Sequence, residues 1–245
     1  MDQGIYIAAS GAIAMEQRLE IIANNLANVN TTGFKKDSIS FEDFQKSLDT
    51  SRLCPGQYRS TPVDVVIGKQ YIDTTQGGFR NTGNPLDVTI AGEGFFVVNT
   101  PDGTRYTRAG SFTLSPEGLL VTPQGYAVQG EGGDITIDQG AVIIDSDGTI
   151  SVDGNVVDKL QIRSIEEDAL VRQGNATFSV RQGYAPGTVE SPDIRQMCLE
   201  ASNVDPIGEM VDLISTQRAY ESYQKIMKAF TDTYAQSMHN VGTVA

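Results

Sequence analysis

IANNLANVNTTGFKK, residues 22–36, opens on helical spacing, carries three asparagines within five residues and breaks at a glycine. Asparagine amides compete for nearby backbone groups, so a helix interior that holds several of them must gain something in return. Traced backwards, Ile5, Ala8, Ala12, Met15, Leu19, Ile22, Leu26 and Val29 recur at alternating steps of three and four residues, the heptad spacing of a coiled-coil seam. Asn30 and Gly33 tolerate a left-handed backbone and so end the helix, which makes residues 1–33 one element. Lys35 and Lys36 then read as solvated cations suited to a helix carboxyl end. With Ile22 and Leu26 on the seam, Asn24, Asn25 and Asn28 fall beside it and offer short donor–acceptor amides to neighbouring molecules. Gly4, Gly11 and the asparagines lower helix propensity, so burial against neighbours has to supply the balance.

The other end of the chain repeats the pattern. SNVDPIGEMVDLISTQRAYESYQKIMKAFTDTYAQSMHN, residues 202–240, starts with capping residues and places Pro206 in the first turn, where a missing N–H costs little. Met210, Leu213, Gln217, Tyr220, Gln224, Met227, Thr231, Tyr234 and Met238 follow the same spacing, flanked by Val211, Ile214, Tyr223, Ile226 and Phe230. A helix of about 35 residues is a rod of roughly 50 Å, too long to be covered by one small domain. Its wide, partly polar seam needs a partner.

Between the helices lie two zones. Residues 34–80 lose all periodicity and read as an extended linker, with VDVVIGKQYIDT as a hairpin arm. Residues 81–190 set β-branched and aromatic runs between Asp-Gly, Glu-Gly and Gln-Gly turns, the pattern of consecutive hairpins. The expected fold is therefore α+β: long amino- and carboxyl-terminal helices (1–33 and within 191–245) paired as a coiled coil, with an inserted antiparallel, barrel-like β domain.

Composition restricts what such a chain can do. Eighteen basic against 31 acidic residues give a formal charge of −13, which repels nucleic acid and anionic membrane surfaces. Cys54 and Cys198 lie far apart and form neither a CxxC nor a Cys/His metal spacing. The opening MDQGIYIAASGAIAMEQRLE begins with an acid and reaches Glu16 and Arg18 before an apolar core forms, unlike a cleavable signal peptide or a membrane span.

Catalytic chemistry finds no nucleus either. His239 is the only histidine, and no GxSxG elbow accompanies it. GEGFFV at Gly92 lacks the third glycine of a dinucleotide loop, and DSDGTISVD at Asp145 lacks the glycine spacing of a calcium loop, so both read as hairpin turns. Glu166 and Glu167 are adjacent and point apart in a strand. With no catalytic, cofactor or metal residues to assign, assembly remains. The expected subunit interface comprises Ile5, Ala12, Leu19, Ile22, Asn24, Asn25, Leu26, Asn28, Gly33 and Phe34 near one end of the chain, and Met210, Leu213, Gln217, Arg218, Tyr220 and Met227 near the other. A secreted β-rich binding module dimerised through its helices is the alternative from another class.

AASGAIAMEQRLEIIANNLANVNTTGFKK resembles the amino-terminal signature of the bacterial flagellar axial proteins, the rod and hook subunits, and EASNVDPIGEMVDLISTQRAYESYQKIM is similar to their carboxyl-terminal signature. NPLDVTIAGEGFFVVNTPDGTRYTRAGSFTLSPEGLLVTPQGYAVQG resembles the β domain shared by later rod subunits and the hook. The three segments occur in the family's order. The resemblance implies a helical hollow shaft spanning the periplasm that transmits torque and conducts exported subunits. It also implies export through the flagellar type III apparatus, partnership with copies of the chain and with other rod subunits, and no catalysis, small-molecule substrate or membrane insertion. Within the family, one moderate β domain and the opening MDQGIYIAASGA look most like the proximal-rod subunit, with the distal-rod subunit as the alternative.

Overall fold

Helix α1, Asp2–Ala27, ends where Asn28 begins to compete for its own neighbourhood. The Asn28 carbonyl accepts the Thr31 amide at 3.0 Å, and its side-chain oxygen accepts the Thr31 hydroxyl at 3.1 Å. The helix is thus six residues shorter than the sequence pattern suggests, and Gly33, at φ +65°, belongs to the turn that follows it. The computed structural model describes residues 2–39, 70–138, 140–189 and 191–242. Most of the extended arm read over 34–80, together with Cys54, lies outside the described residues.

The strands, in chain order, are β1 Asp37–Ile39, β2 Gln70–Ile72, β3 Phe79–Asn81, β4 Val88–Ile90, β5 Phe95–Thr100, β6 Gly103–Thr107, β7 Thr113–Leu114, β8 Leu120–Val121 and β9 Ala127–Val128. They continue with β10 Val142–Ile144, β11 Thr149–Val152, β12 Asn155–Lys159, β13 Ile162–Ser164, β14 Leu170–Gly174, β15 Thr177–Val180, β16 Gly187–Thr188, β17 Ile194–Gln196 and β18 Cys198–Glu200. Helix α2, Pro206–Gly242, closes the series. The class is α+β, in two compact units: one holds α1, β1 and α2, and the other holds residues 28–36 and 72–204.

Among the described residues of the β-rich unit the strands pair antiparallel, and the turns are those the Asp-Gly dipeptides call for. At the β11–β12 junction Val152 pairs with Asn155, and Asp153 and Gly154 both take positive φ, +50° and +85°, as the tightest hairpin turn requires. The largest sheet runs β14-β15-β6-β5-β9-β8-β7, and β13 joins β5 to β16. Among the described residues β14 and β7 do not pair, so the sheet does not close into the expected barrel. The physical reason is a branch. One edge of β5 is shared by β13 at Phe95–Phe96 and β9 at Val98–Asn99, which splits the sheet instead of letting it curl round.

Strand β5, FFVVNT, positions the core on both of its faces. Phe96 and Val98 enter one cluster with Val88, Ile90, Phe112 and Leu120. Phe95 and Val97 enter another with Ile72, Tyr106, Leu170 and Phe178. This is the period-two alternation of a strand buried on both sides, which explains an unbroken apolar run. Edge-to-face rings anchor each cluster, Phe96 on Phe112 at 5.3 Å and Phe95 on Phe178 at 5.6 Å.

Candidate functional site

The helical unit is built on an antiparallel pair, α1 against α2. Three of its contacts fall on one column. A Cβ added to Gly4 would stand 2.9 Å from the Phe230 ring, and one added to Gly11 would stand 2.6 Å from the Tyr223 ring. Farther along, the Asn25 amide donates to the Glu209 carboxylate at 3.3 Å. Moving seven residues forward on α1 moves seven back on α2, and fourteen more reach the Asn25–Glu209 pair, so one register holds from end to end.

That column lies beside the expected seam on both helices: positions 4, 11 and 25 next to 5, 12 and 26 on α1, and 209, 223 and 230 next to 210, 224 and 231 on α2. Ala8, Ala12 and Ile22 of the expected seam are buried as well. Adjacent columns have the same three-and-four spacing, and the sequence reading took Gly4 and Gly11 as residues that lower helix propensity. Here the glycines are sockets that let aromatic rings lie against helix backbone. Propensity alone makes Gly11→Ala stabilising by about 1 kcal/mol. The ring contact reverses the sign: we expect a net loss of about 1 kcal/mol, read as a lower midpoint in thermal circular dichroism.

The expected interface residues divide accordingly. Ala12, Ile22, Gly33 and Phe34 are buried; Ile5, Leu19, Leu26, Asn28, Leu213, Tyr220 and Met227 are half-buried; Asn24, Met210, Gln217 and Arg218 are exposed. Asn25 does not offer its amide outward. It is 1% exposed, donates to the Asp37 carbonyl at 2.9 Å and accepts the Asp37 amide at 3.0 Å, beside its bond to Glu209. Of the large apolar side chains left in solvent on the helices the expected interface included Met210, at 50%, and omitted Tyr6, Ile7 and Ile13 on α1 and Ile207, Val211 and Ile214 on α2, each between 48% and 73% exposed. The signal that could have found the α2 group was the unusual width of its apolar stripe.

In the β-rich unit a buried charge cluster replaces the solvated lysine read at position 35. Lys35 is 1% exposed and its Nζ lies 2.6 Å from Glu200 Oε1, while Arg108 Nη1 stands 3.4 Å from Glu200 Oε2. Burial pulls the Lys35 and Arg108 pKa values down, and the Glu200 carboxylate pushes both back up. Other donors go to main chain, Lys35 Nζ to Thr75 O at 2.7 Å and Arg108 to Ile90 O at 3.2 Å and Gly92 O at 2.6 Å, while Arg108 Nε is buried without a hydrogen bond. Gly77 N adds a bond to Glu200 Oε1 at 2.9 Å. Arg172 stacks 4.5 Å over Phe34 and donates to the Lys35 carbonyl. The arrangement stitches residues 33–36 to β18. Nothing in the sequence marks it, because a lysine after a helix stop looks the same whether or not a glutamate 165 positions on folds over it.

Fold and surface together define a structural protein: a β-rich unit, and a helical unit that joins the two ends of the chain and leaves apolar side chains uncovered. Comparison with known proteins specifies the family. The family model for the flagella basal body rod protein matches residues 5–35, that for the flagellar hook protein FlgE/F/G D1 domain matches 89–156, and that for the flagellar basal body rod FlgEFG protein C-terminal matches 195–238. The chain is 36% identical over 249 residues to the flagellar basal-body rod protein FlgF of Caulobacter vibrioides, with 100% of both chains covered. It is 34% identical over 263 residues to FlgG of Bacillus subtilis, covering 98% of this chain and 99% of that one. FlgG of Agrobacterium fabrum is 34% identical over 247 residues, covering 92% and 94%. The chain belongs to the flagellar basal-body rod protein family and is a structural subunit of the rod.

Proposed function

We propose that the chain is a proximal-rod subunit that polymerises with copies of itself and with other rod subunits, serves no catalytic step, and reaches the rod through the flagellar type III export apparatus. The observation that carries the assembly reading is the uncovered apolar face of the helical unit. Ile207, Val211 and Ile214 recur at steps of four and three on α2, and Tyr6 and Ile13 at seven on α1, so each set forms a stripe. Covering side chains that are about half exposed is worth about 1 kcal/mol each, and a stripe repeated on every subunit sums to a stable polymer.

The constant antiparallel register supports reading α1 and α2 as a heptad-phased coiled coil, since contacts at intervals of seven keep one seam facing the partner. One moderate β domain and the opening MDQGIYIAASGA, by which the chain resembles a proximal-rod subunit, support the proximal position. The distal rod is the second reading. Electron microscopy of basal bodies carrying a tagged copy tests both, because the tag's axial level differs between them.

The interface is tested by Val211→Asp with Ile214→Asp. Both side chains are exposed, so the folded chain should lose no more than about 0.5 kcal/mol per site. Incorporation into basal bodies and swimming should be lost while the subunit is still exported. Normal rods in this double variant refute the assigned face.

A further inference from the structure

We propose that a cavity in the β-rich unit is a receptor for a basic side chain that another polypeptide presents together with a main-chain carbonyl. The cavity has a volume of about 440 Å³, inside the range of roughly 300–1,000 Å³ that ligand sites occupy. Two stretches whose sequences carry no chemistry when read separately supply its rim. In GEGFFV, Gly92 and Gly94 take φ of +118° and +125°, and Glu93 stands exposed in the bend between them. Glu166 and Glu167 do not lie in a strand, where they would point apart. Glu166 is extended, with φ −64° and ψ 142°, and Glu167 opens the short 3-10 helix Glu167–Ala169, so the chain turns a corner and both residues line the cavity. The Thr74 hydroxyl donates to Glu167, and the Glu166 side chain makes no capping bond. Among the described residues no Lys or Arg is ion-paired with Glu93, Glu166 or Glu167. Three carboxylates at one mouth repel one another, and a cation relieves them.

The same cavity is lined by Arg108, which is 4% exposed. Its Nη atoms are taken by Ile90 O, Gly92 O and Glu200, and its Cζ lies 5.2 Å from the Phe95 ring centroid, so the guanidinium is pinned. Its Nε is buried with no acceptor, and an unmet buried donor is costly. Burial lowers the Arg108 pKa, and Glu93 joins Glu200 in opposing that shift, so rim and floor feel each other's charge. No simple ion suits both. A carboxylate or phosphate that meets Arg108 also meets three glutamates, and a bare cation at the rim leaves Nε unmet. A neutral carbonyl oxygen at the floor with a cation at the rim answers both, and a peptide carrying arginine or lysine holds those two groups several bonds apart. Arginine's planar fork suits paired carboxylates best. This site belongs to the β-rich unit, whereas the stripes assigned to assembly belong to the helical one, so each reading fails or stands without the other.

The probe is N-acetyl-arginine amide, titrated into the full-length chain and followed by nuclear magnetic resonance of its N–H groups. The backbone amides of Gly92, Glu93 and Glu167 should shift and saturate with a Kd of about 1 mM, as expected for a ligand of that size. N-acetyl-citrulline amide, which has the same shape and no charge, should leave them unmoved. Propylguanidinium keeps the cation and lacks the carbonyl, and should bind about fivefold more weakly. The Arg108 Nε–H signal should move with the acetylated arginine and stay in place with propylguanidinium. Glu166→Gln with Glu167→Gln should weaken the probe about fivefold, since two charges are lost from exposed positions. Unchanged signals elsewhere in that variant show that it is folded, and Glu93→Gln weakens the probe independently from the opposite stretch of the rim. Absence of saturating shifts overturns the proposal. Equal binding of the citrulline probe, of propylguanidinium or by the double variant overturns it as well.

Discussion

Glu200→Ala should cost the β-rich unit about 3–5 kcal/mol, the penalty for removing one partner from a buried charge network. Domains are stable by only about 5–15 kcal/mol, so the variant stands near the unfolding threshold. The carboxylate serves both Lys35 at 2.6 Å and Arg108 at 3.4 Å, and its removal leaves two cations in a site where the side chains are at most 4% exposed. Glu200→Gln should be nearly as damaging, because the amide keeps the shape and loses the charge. Lys35→Met should be milder, since Arg108 and Glu200 still balance. Urea unfolding followed by far-ultraviolet circular dichroism ranks the three, and a Lys35→Met loss equal to that of Glu200→Ala would refute the shared-carboxylate account. The pH dependence has a definite sign. Burial holds the Lys35 pKa below its ordinary 10.5, so in the window just below 10.5 the unfolded chain binds this proton more tightly than the folded one. Lys35 therefore raises stability as pH rises through that window. Without Glu200 the lysine neutralises still more easily, and the Glu200→Ala deficit should shrink between neutral and alkaline pH.

Particular residues show what the sequence makes legible. The Asp-Gly turns and the FFVV run fix hairpins and core because both signals are local: a positive φ at Gly154 and a strand buried on two faces are properties of a few consecutive residues. Helices at both ends are legible for the same reason, through their spacing. Lys35 and Asn25 were misread because their meaning is non-local. Charge and amide type are visible in the sequence, but the Glu200 and Glu209 that pair with them lie 165 and 184 positions away. The ring-on-glycine contacts went unread for another cause. Apolar counting picks out Ile5, Ala12 and Leu26, whereas the rings of Tyr223 and Phe230 lie on the neighbouring glycines, where backbone is accessible. The exposed Ile207, Val211 and Ile214 were passed over because only one stripe of a wide apolar face was assigned to contact.

Gly33→Ala should destabilise the β-rich unit by about 3 kcal/mol or more, through two effects that a second glycine separates. Gly33 has φ +65°, which costs a side-chain-bearing residue about 1–2 kcal/mol. Its Cβ would also stand 2.3 Å from both Ala109 N and the Arg108 carbonyl carbon, which are main-chain atoms that no rotamer change can move aside. Relieving that overlap costs a further 1–3 kcal/mol or so, as overpacking in a well-filled interior does. The displaced segment also carries Arg108 to its bonds with Glu200, Ile90 and Gly92, and the Gly33 amide donates to the Glu200 carbonyl at 2.8 Å. A shift there loosens the charge cluster as well as the turn. Gly83 provides the control: its φ is +73°, yet a Cβ on it meets nothing within 4 Å. Gly83→Ala should therefore show the conformational cost alone, about 1–2 kcal/mol, and leave the cluster intact. Urea midpoints of the two variants measure the difference directly. If they coincide, the close approach of residues 108–109 to Gly33 is not what demands glycine there. If Gly33→Ala falls well below Gly83→Ala, the glycine of NTTGFKK is required because the backbone that follows β6 passes over it, and not because a helix has to stop.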